Sequence, residues 1–188
     1  MFRNLFANVR AKSPLVHNIT NYVTVNDCAN IVLACGASPI MADDAAEVED
    51  ITSLCAGLNL NIGTIPSMLL AGHTANRLGR PVVLDPVGAG ASHLRTETAL
   101  RLLREVKFTV IRGNISEIRT LAAGSGTTKG VDADTADKVT DETLDKTVAF
   151  AKAFAARTGA FVAVTGAIDI VVDGERAFCI RNGHPMMS

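Results

Sequence analysis

The feature that most constrains this chain is a recurrence. Short, almost wholly apolar runs, each ending in a small, polar or charged residue, alternate with longer helix-like stretches. The runs are "SPIMA" (38–42), "LNLNIG" (58–63), "PVVLD" (81–85), "FTVIRG" (108–113) and "FVAVTG" (161–166). A strand with one face in water alternates apolar and polar residues. A strand that is apolar throughout is covered on both faces, as in a parallel sheet flanked by helices.

The stretches between carry helical signals. Helices are predicted over 45–55, from Ile65 to a closing Gly79, and over 95–106 with Thr96 near the start and Leu100 and Leu103 on one face. Another begins at "NISEIRTLAAG". A last one runs from about Asp141 to Arg157, where Leu144, Val148, Ala151 and Ala155 share a stripe. "IDIVVDGERAFCI" reads as a hairpin turning at Asp173-Gly174. The expected fold class is α/β: a three-layer α/β/α domain over residues 1–188, mostly parallel, with a C-terminal antiparallel hairpin and no dividing linker or repeat.

Composition narrows the partners. With 188 residues, 48% of them hydrophobic, and a formal net charge of -1, the chain is long enough for one stable core and carries no dominant charge. Neither nucleic acid nor a membrane is an expected partner. Every apolar run is broken well before the ~18 residues a spanning helix needs, and the first residues lack the apolar core of a secretory signal. The four cysteines, at 28, 35, 55 and 179, form no C-x-x-C pair and sit in apolar surroundings. They read as reduced thiols of a cytoplasmic protein rather than as disulfides or zinc ligands.

Ligands of open α/β sheets gather beyond the carboxyl ends of the strands. There the sequence places Met41-Ala-Asp-Asp, Gly63-Thr64, Asp85-Pro86, Arg112-Gly-Asn114 and Thr165-Gly166. Asp85 either opens a turn before proline or holds something charged. Asn114 and Glu117 form an N-x-x-E pair on the first turn of a helix. Glu117 there either answers the helix dipole or, with Asp85, suits a hydrated Mg²⁺ that reaches nucleotide phosphates. Arg112 either offers phosphate a bidentate cation or pairs with a nearby acid. His93 stands where a G-x-G-x-x-G fingerprint needs its last glycine, and neither a P-loop nor a G-x-S-x-G elbow occurs. Asn18, Asn21, Asn26 and Asn30 crowd an otherwise aliphatic stretch. They read either as caps ahead of a helix ending at Gly36 or as the polar lining of a pocket or oligomer interface.

These stretches together resemble the hydroxyethylthiazole kinase family of the ribokinase-like superfamily. The matching pieces are "SPLVHNITNYVTVN", "GASPIMA", "LNIGT", "PVVLDPVGAGA", "RTET", "IRGNISEI", "KGVDA", "VTGAIDIV" and "NGH", in order from residue 13 to residue 184. The resemblance implies phosphoryl transfer from ATP to the primary alcohol of 4-methyl-5-(2-hydroxyethyl)thiazole, in thiamine salvage, by a trimer with active sites between subunits. It implies Met41, Asn21 and Gly63 as substrate-binding residues. Arg112, Thr165 and Asn114 would bind ATP, and Asp85 and Glu117 would bind Mg²⁺.

The family follows N-G-H with a G-x-G-C loop whose amides form an anion hole and whose cysteine stands where related kinases place a catalytic base. That loop would fall after residue 188. None of Cys28, Cys35, Cys55 and Cys179 lies in such a context, so none receives the role. The expectation is a kinase domain without its last part. Residues 1–188 alone would transfer phosphoryl weakly or not at all, and a longer polypeptide carrying the loop would be a working enzyme. The competing readings are a kinase of a hydroxymethyl pyrimidine or of pyridoxal, a non-catalytic ligand-binding relative, and an ATP-dependent dehydratase on a similar fold.

Overall fold

The computed structural model describes residues 4–62, 65–124 and 139–182. The chain forms two compact units, residues 1–83 with 105–107, and residues 84–104 with 108–188.

The first unit opens with α1 (Leu5–Lys12), a helix with no buried residue that the sequence reading did not foresee. Strand β1 (Leu15–Ile19) follows and takes a central place, pairing in parallel with β2 (Ser38–Met41) on one side and β3 (Gly57–Asn61) on the other. This strand was also missed, because His17 and Asn18 interrupt the apolar run that marked the others. Both are buried, and each is hydrogen-bonded, which makes polar side chains tolerable in a core. Helix α2 (Val25–Cys35) ends as expected at Gly36, whose φ of 91° is left-handed and where a Cβ would run into the Arg10 side chain. Helix α3 (Val48–Leu54) starts three residues later than the 45 predicted, because the Asp44 side chain turns residues 44–46 into a capped loop. With α4 (Ile65–Arg77), these elements bury Ile19, Val48, Leu58, Leu60, Met68 and Ala75.

Strand β4 (Val82–Asp85) ends the first unit with its opening residues and begins the second with Leu84 and Asp85. In the second unit come α5 (His93–Glu105), β5 (Val110–Asn114), α6 (Ile115–Ala123), α7 (Leu144–Thr158), β6 (Phe161–Thr165), β7 (Asp169–Val172) and β8 (Ala177–Ile180). Strands β5 and β6 are parallel, while β7 and β8 turn back antiparallel. The strand order is β2-β1-β3-β4-β5-β6-β7-β8, the mostly parallel sheet with an antiparallel end that the sequence implied.

The predicted hairpin turn is present, closed by Asp173, which accepts the backbone N–H groups of Glu175 and Arg176. Leu84, Leu102, Ile111, Ile118, Phe154, Val162, Val164 and Ile170 form this unit's core. Among the described residues, no helix is long and apolar enough to cross a membrane.

Candidate active site

At the carboxyl ends of β1, β2 and β3, the first unit gathers neutral polar groups. Met41 ends β2, half-buried and in register with Asn18. Asn18 is no cap: its Nδ2 donates to the Val16 carbonyl at 3.0 Å, and its Oδ1 accepts from Asn59 Nδ2 at 3.2 Å. Asn21 does cap. Its Oδ1 accepts the N–H groups of Val23 and Thr24, while its Nδ2 donates to Asn61 Oδ1 at 2.7 Å. Asn26 and Asn30 lie exposed on α2 and join neither amide pair. Gly63 lies outside the described residues.

His17 is the member that sequence reasoning passed over. It is 0% exposed, with Nε2 at 2.8 Å from the Ala42 carbonyl and Nδ1 at 2.9 Å from the Thr52 hydroxyl. A carbonyl oxygen only accepts, so Nε2 carries the proton and Nδ1 accepts from Thr52. Burial holds the imidazole below its ordinary pKa, opposed by the Ala42 carbonyl and by the Glu47 carboxylate. The available signal was a histidine inside a short β-like run, which competes poorly with the apolar pattern around it.

The second unit gathers charge. Asp85 ends β4, and Arg112 projects from the face of β5 opposite to the buried Ile111 and Gly113. The two meet, Arg112 Nη1 donating to Asp85 Oδ2 at 2.9 Å. Asn114 ends β5 beside Thr165, the last residue of β6.

Asn114 also caps α6 in a reciprocal box. Its Oδ1 accepts Glu117 N–H at 2.9 Å, and Glu117 Oε2 accepts Asn114 N–H at 2.9 Å. The other oxygen of Glu117 accepts Gly88 N–H at 3.0 Å, tying the helix to the loop after β4. Burial pushes the Glu117 carboxyl above its ordinary range, opposed by its two backbone donors; nearby Asp85 adds to the rise and Arg112 offsets it. Gly113 makes this approach possible, because a Cβ there would lie 2.9 Å from Glu117 Oε2. Glu117 thus does answer the helix N-terminus, and it braces the Asp85 loop as well.

The chemistry of the two clusters differs in kind. The first can hold a neutral polar molecule by amides and a thioether. The second presents a guanidinium and two carboxylates, the groups needed to hold phosphate oxygens and a hard cation. Among the described residues, no three His, Cys, Asp or Glu side chains group to hold a metal by themselves. The carboxylates of Asp85 and Glu117 are hard oxygen donors, the kind that fits a hard cation such as Mg²⁺.

The architecture is that of the ribokinase-like kinases. The fold is shared with the pyridoxal kinase of Staphylococcus aureus at a TM-score of 0.59 and 17% identity, over 88% of this chain and 71% of that one. The Hydroxyethylthiazole kinase family matches residues 6–188, and this chain belongs to that family. It is 65% identical to the hydroxyethylthiazole kinase of Clostridium acetobutylicum, over 100% of this chain and 71% of that protein. The solved hydroxyethylthiazole kinase of Pyrococcus horikoshii OT3 shares 40% identity and a TM-score of 0.81, over 97% of this chain and 67% of that one.

Proposed function

We propose that this protein transfers the γ-phosphoryl group of ATP to the primary alcohol of 4-methyl-5-(2-hydroxyethyl)thiazole, a step of thiamine salvage. The observation that carries the reading is family membership along almost the whole chain. The two clusters supply a division of labour. Met41 packs its polarisable thioether against the heteroaromatic ring, and Asn21 orients the polar side of that pocket.

On the nucleotide side, Arg112 exchanges its Asp85 partner for phosphate oxygens. Thr165 and Asn114 donate to the nucleotide from adjacent strand ends. Asp85 and Glu117 would be the residues that hold Mg²⁺. When bound, that ion supplies neutralisation of charge on the phosphate oxygens. Glu117 has one backbone donor on each oxygen and keeps lone pairs for that ion.

The protein acts as a homotrimer in the cytoplasm, where ATP is available and where its four free cysteines stay reduced. Supporting the assembly, α2 has no buried residue. Tyr22, Val23, Ile31 and Leu33, on α2 and the turn before it, are 87%, 89%, 62% and 57% exposed. Apolar exposure of that extent marks an interaction surface.

The test is ADP release by the full polypeptide with the thiazole alcohol, a hydroxymethyl pyrimidine and pyridoxal in parallel, with intact mass and sedimentation on the same sample. Turnover confined to the thiazole supports the reading. Equal or faster turnover of either rival alcohol would refute it.

A further inference from the structure

We infer that His17 is a positioning residue: its Nε2–H fixes the exit of β2, and so the placement of Met41, without itself touching substrate. The inference rests on the assignment of Met41 to the thiazole pocket.

The bland alternative is that His17 merely fills the core. An aliphatic side chain would do that without two hydrogen bonds to satisfy, and burying an imidazole is costly unless both nitrogens are bonded. Both are bonded here, and the partners are placed where ladder support ends. The β1–β2 register runs from Leu15↔Ser38 to Asn18↔Met41, and the described pairing goes no further.

The next two carbonyls along the chain are each taken by a buried side chain. Ala42 O accepts from His17 Nε2 at 2.8 Å, and Asp43 O accepts from the Ser67 hydroxyl at 2.6 Å. Ser67 is 1% exposed and Ala42 6%. Two rigid elements thus grip the segment directly behind Met41: strand β1 through His17 and helix α4 through Ser67. Thr52 of α3 completes the device, because its hydroxyl proton on Nδ1 selects the tautomer with hydrogen on Nε2. A side chain held half-buried at a strand end keeps its rotamer and position only if the backbone beneath it is fixed. Loosening that backbone weakens binding of whatever Met41 contacts and leaves a phosphate grip built on other strands untouched.

The experiment compares wild type, His17→Leu, His17→Gln and Thr52→Val in the full polypeptide. Steady-state kinetics are read for both substrates, and hydrogen exchange is followed at residues 42–44 without ligand. His17→Leu should raise KM for the thiazole alcohol about tenfold, a change of about 1.4 kcal/mol, with KM for ATP and kcat within about twofold. His17→Gln keeps a donor for Ala42 O and should stay within about threefold of wild type, and Thr52→Val should fall between.

Equal changes in both KM values, or a Gln variant as impaired as the Leu variant, overturns the inference. Should His17→Leu not fold, Thr52→Val decides, and an unchanged thiazole KM there overturns it as well. If wild type does not phosphorylate the thiazole, the salvage reading fails separately. The exchange data still decide the positioning role: faster exchange at 42–44 in His17→Leu but not in His17→Gln supports it, and equal protection in all four proteins refutes it.

Discussion

The two units end their strands in opposite chemistry. The carboxyl ends of β1 and β3 carry amides paired with amides, Asn18 with Asn59 and Asn21 with Asn61. Those of β4 and β5 carry an acid paired with a guanidinium, Asp85 with Arg112. Paired amides expose donors and acceptors without net charge, which suits an uncharged polar alcohol. A guanidinium and a carboxylate that already neutralise each other can be redirected by a polyanion and its cation. Within one topology, residue chemistry at the strand ends is enough to separate a neutral polar region from a charged one.

The largest effect that would test this division comes from Asp85. Asp85→Asn keeps the shape and removes the charge. ADP release should fall about 100-fold, while the thiazole dissociation constant changes less than about twofold. Parallel kinetics and calorimetry read the two effects. A comparable loss of thiazole affinity would break the division. Next in size is Gly113→Ala, whose methyl would press on the Glu117 carboxylate and on its Cβ. Urea unfolding should show a loss of about 1–3 kcal/mol. Unchanged stability would mean that Glu117 braces nothing.

Much of this was legible before any coordinates. Each of the five apolar runs became a strand, because a short, almost wholly apolar run suits a sheet flanked by helices. The N-x-x-E spacing became a capping box, since positions three apart on a first turn face each other. What escaped was polar and long-range. Strand β1 was hidden because His17 and Asn18 find partners 25 to 41 residues away, at Ala42, Thr52 and Asn59, and no local pattern announces them. The Asp85–Arg112 pair spans 27 residues, so Arg112 read equally well as a phosphate clamp or as an ion pair. It is an ion pair in the structure. Asn18 and Asn21 looked alike in sequence, yet one sits in a strand and the other caps a turn.

Smaller again is the effect of Met41→Ala. The side chain is half-buried, so its loss opens no closed cavity. The thiazole dissociation constant should rise about fivefold with that of ATP unmoved, as titration calorimetry would show. An equal rise in both would erase the distinction between the two strand edges.

The smallest effects are opposite in sign and separate the regions by pH. His17 is held below its ordinary pKa of 6.5, chiefly by burial. The unfolded chain therefore binds a proton that the folded one refuses, and its contribution to stability is full above 6.5 and lost as pH falls through the lowered value. Glu117 is held above its ordinary 4.5, again chiefly by burial. Its contribution is full below 4.5 and lost as pH rises through the raised value. Between 4.5 and 6.5 the two slopes oppose each other, so wild type shows only their difference. Thermal midpoints of His17→Gln and Glu117→Gln across that window should diverge. Removing the histidine leaves the slope that falls with rising pH, and removing the glutamate leaves the one that climbs. If both variants track wild type in parallel, burial is not what sets these two groups. The contrast between the regions would then rest on Asp85 and Arg112 alone.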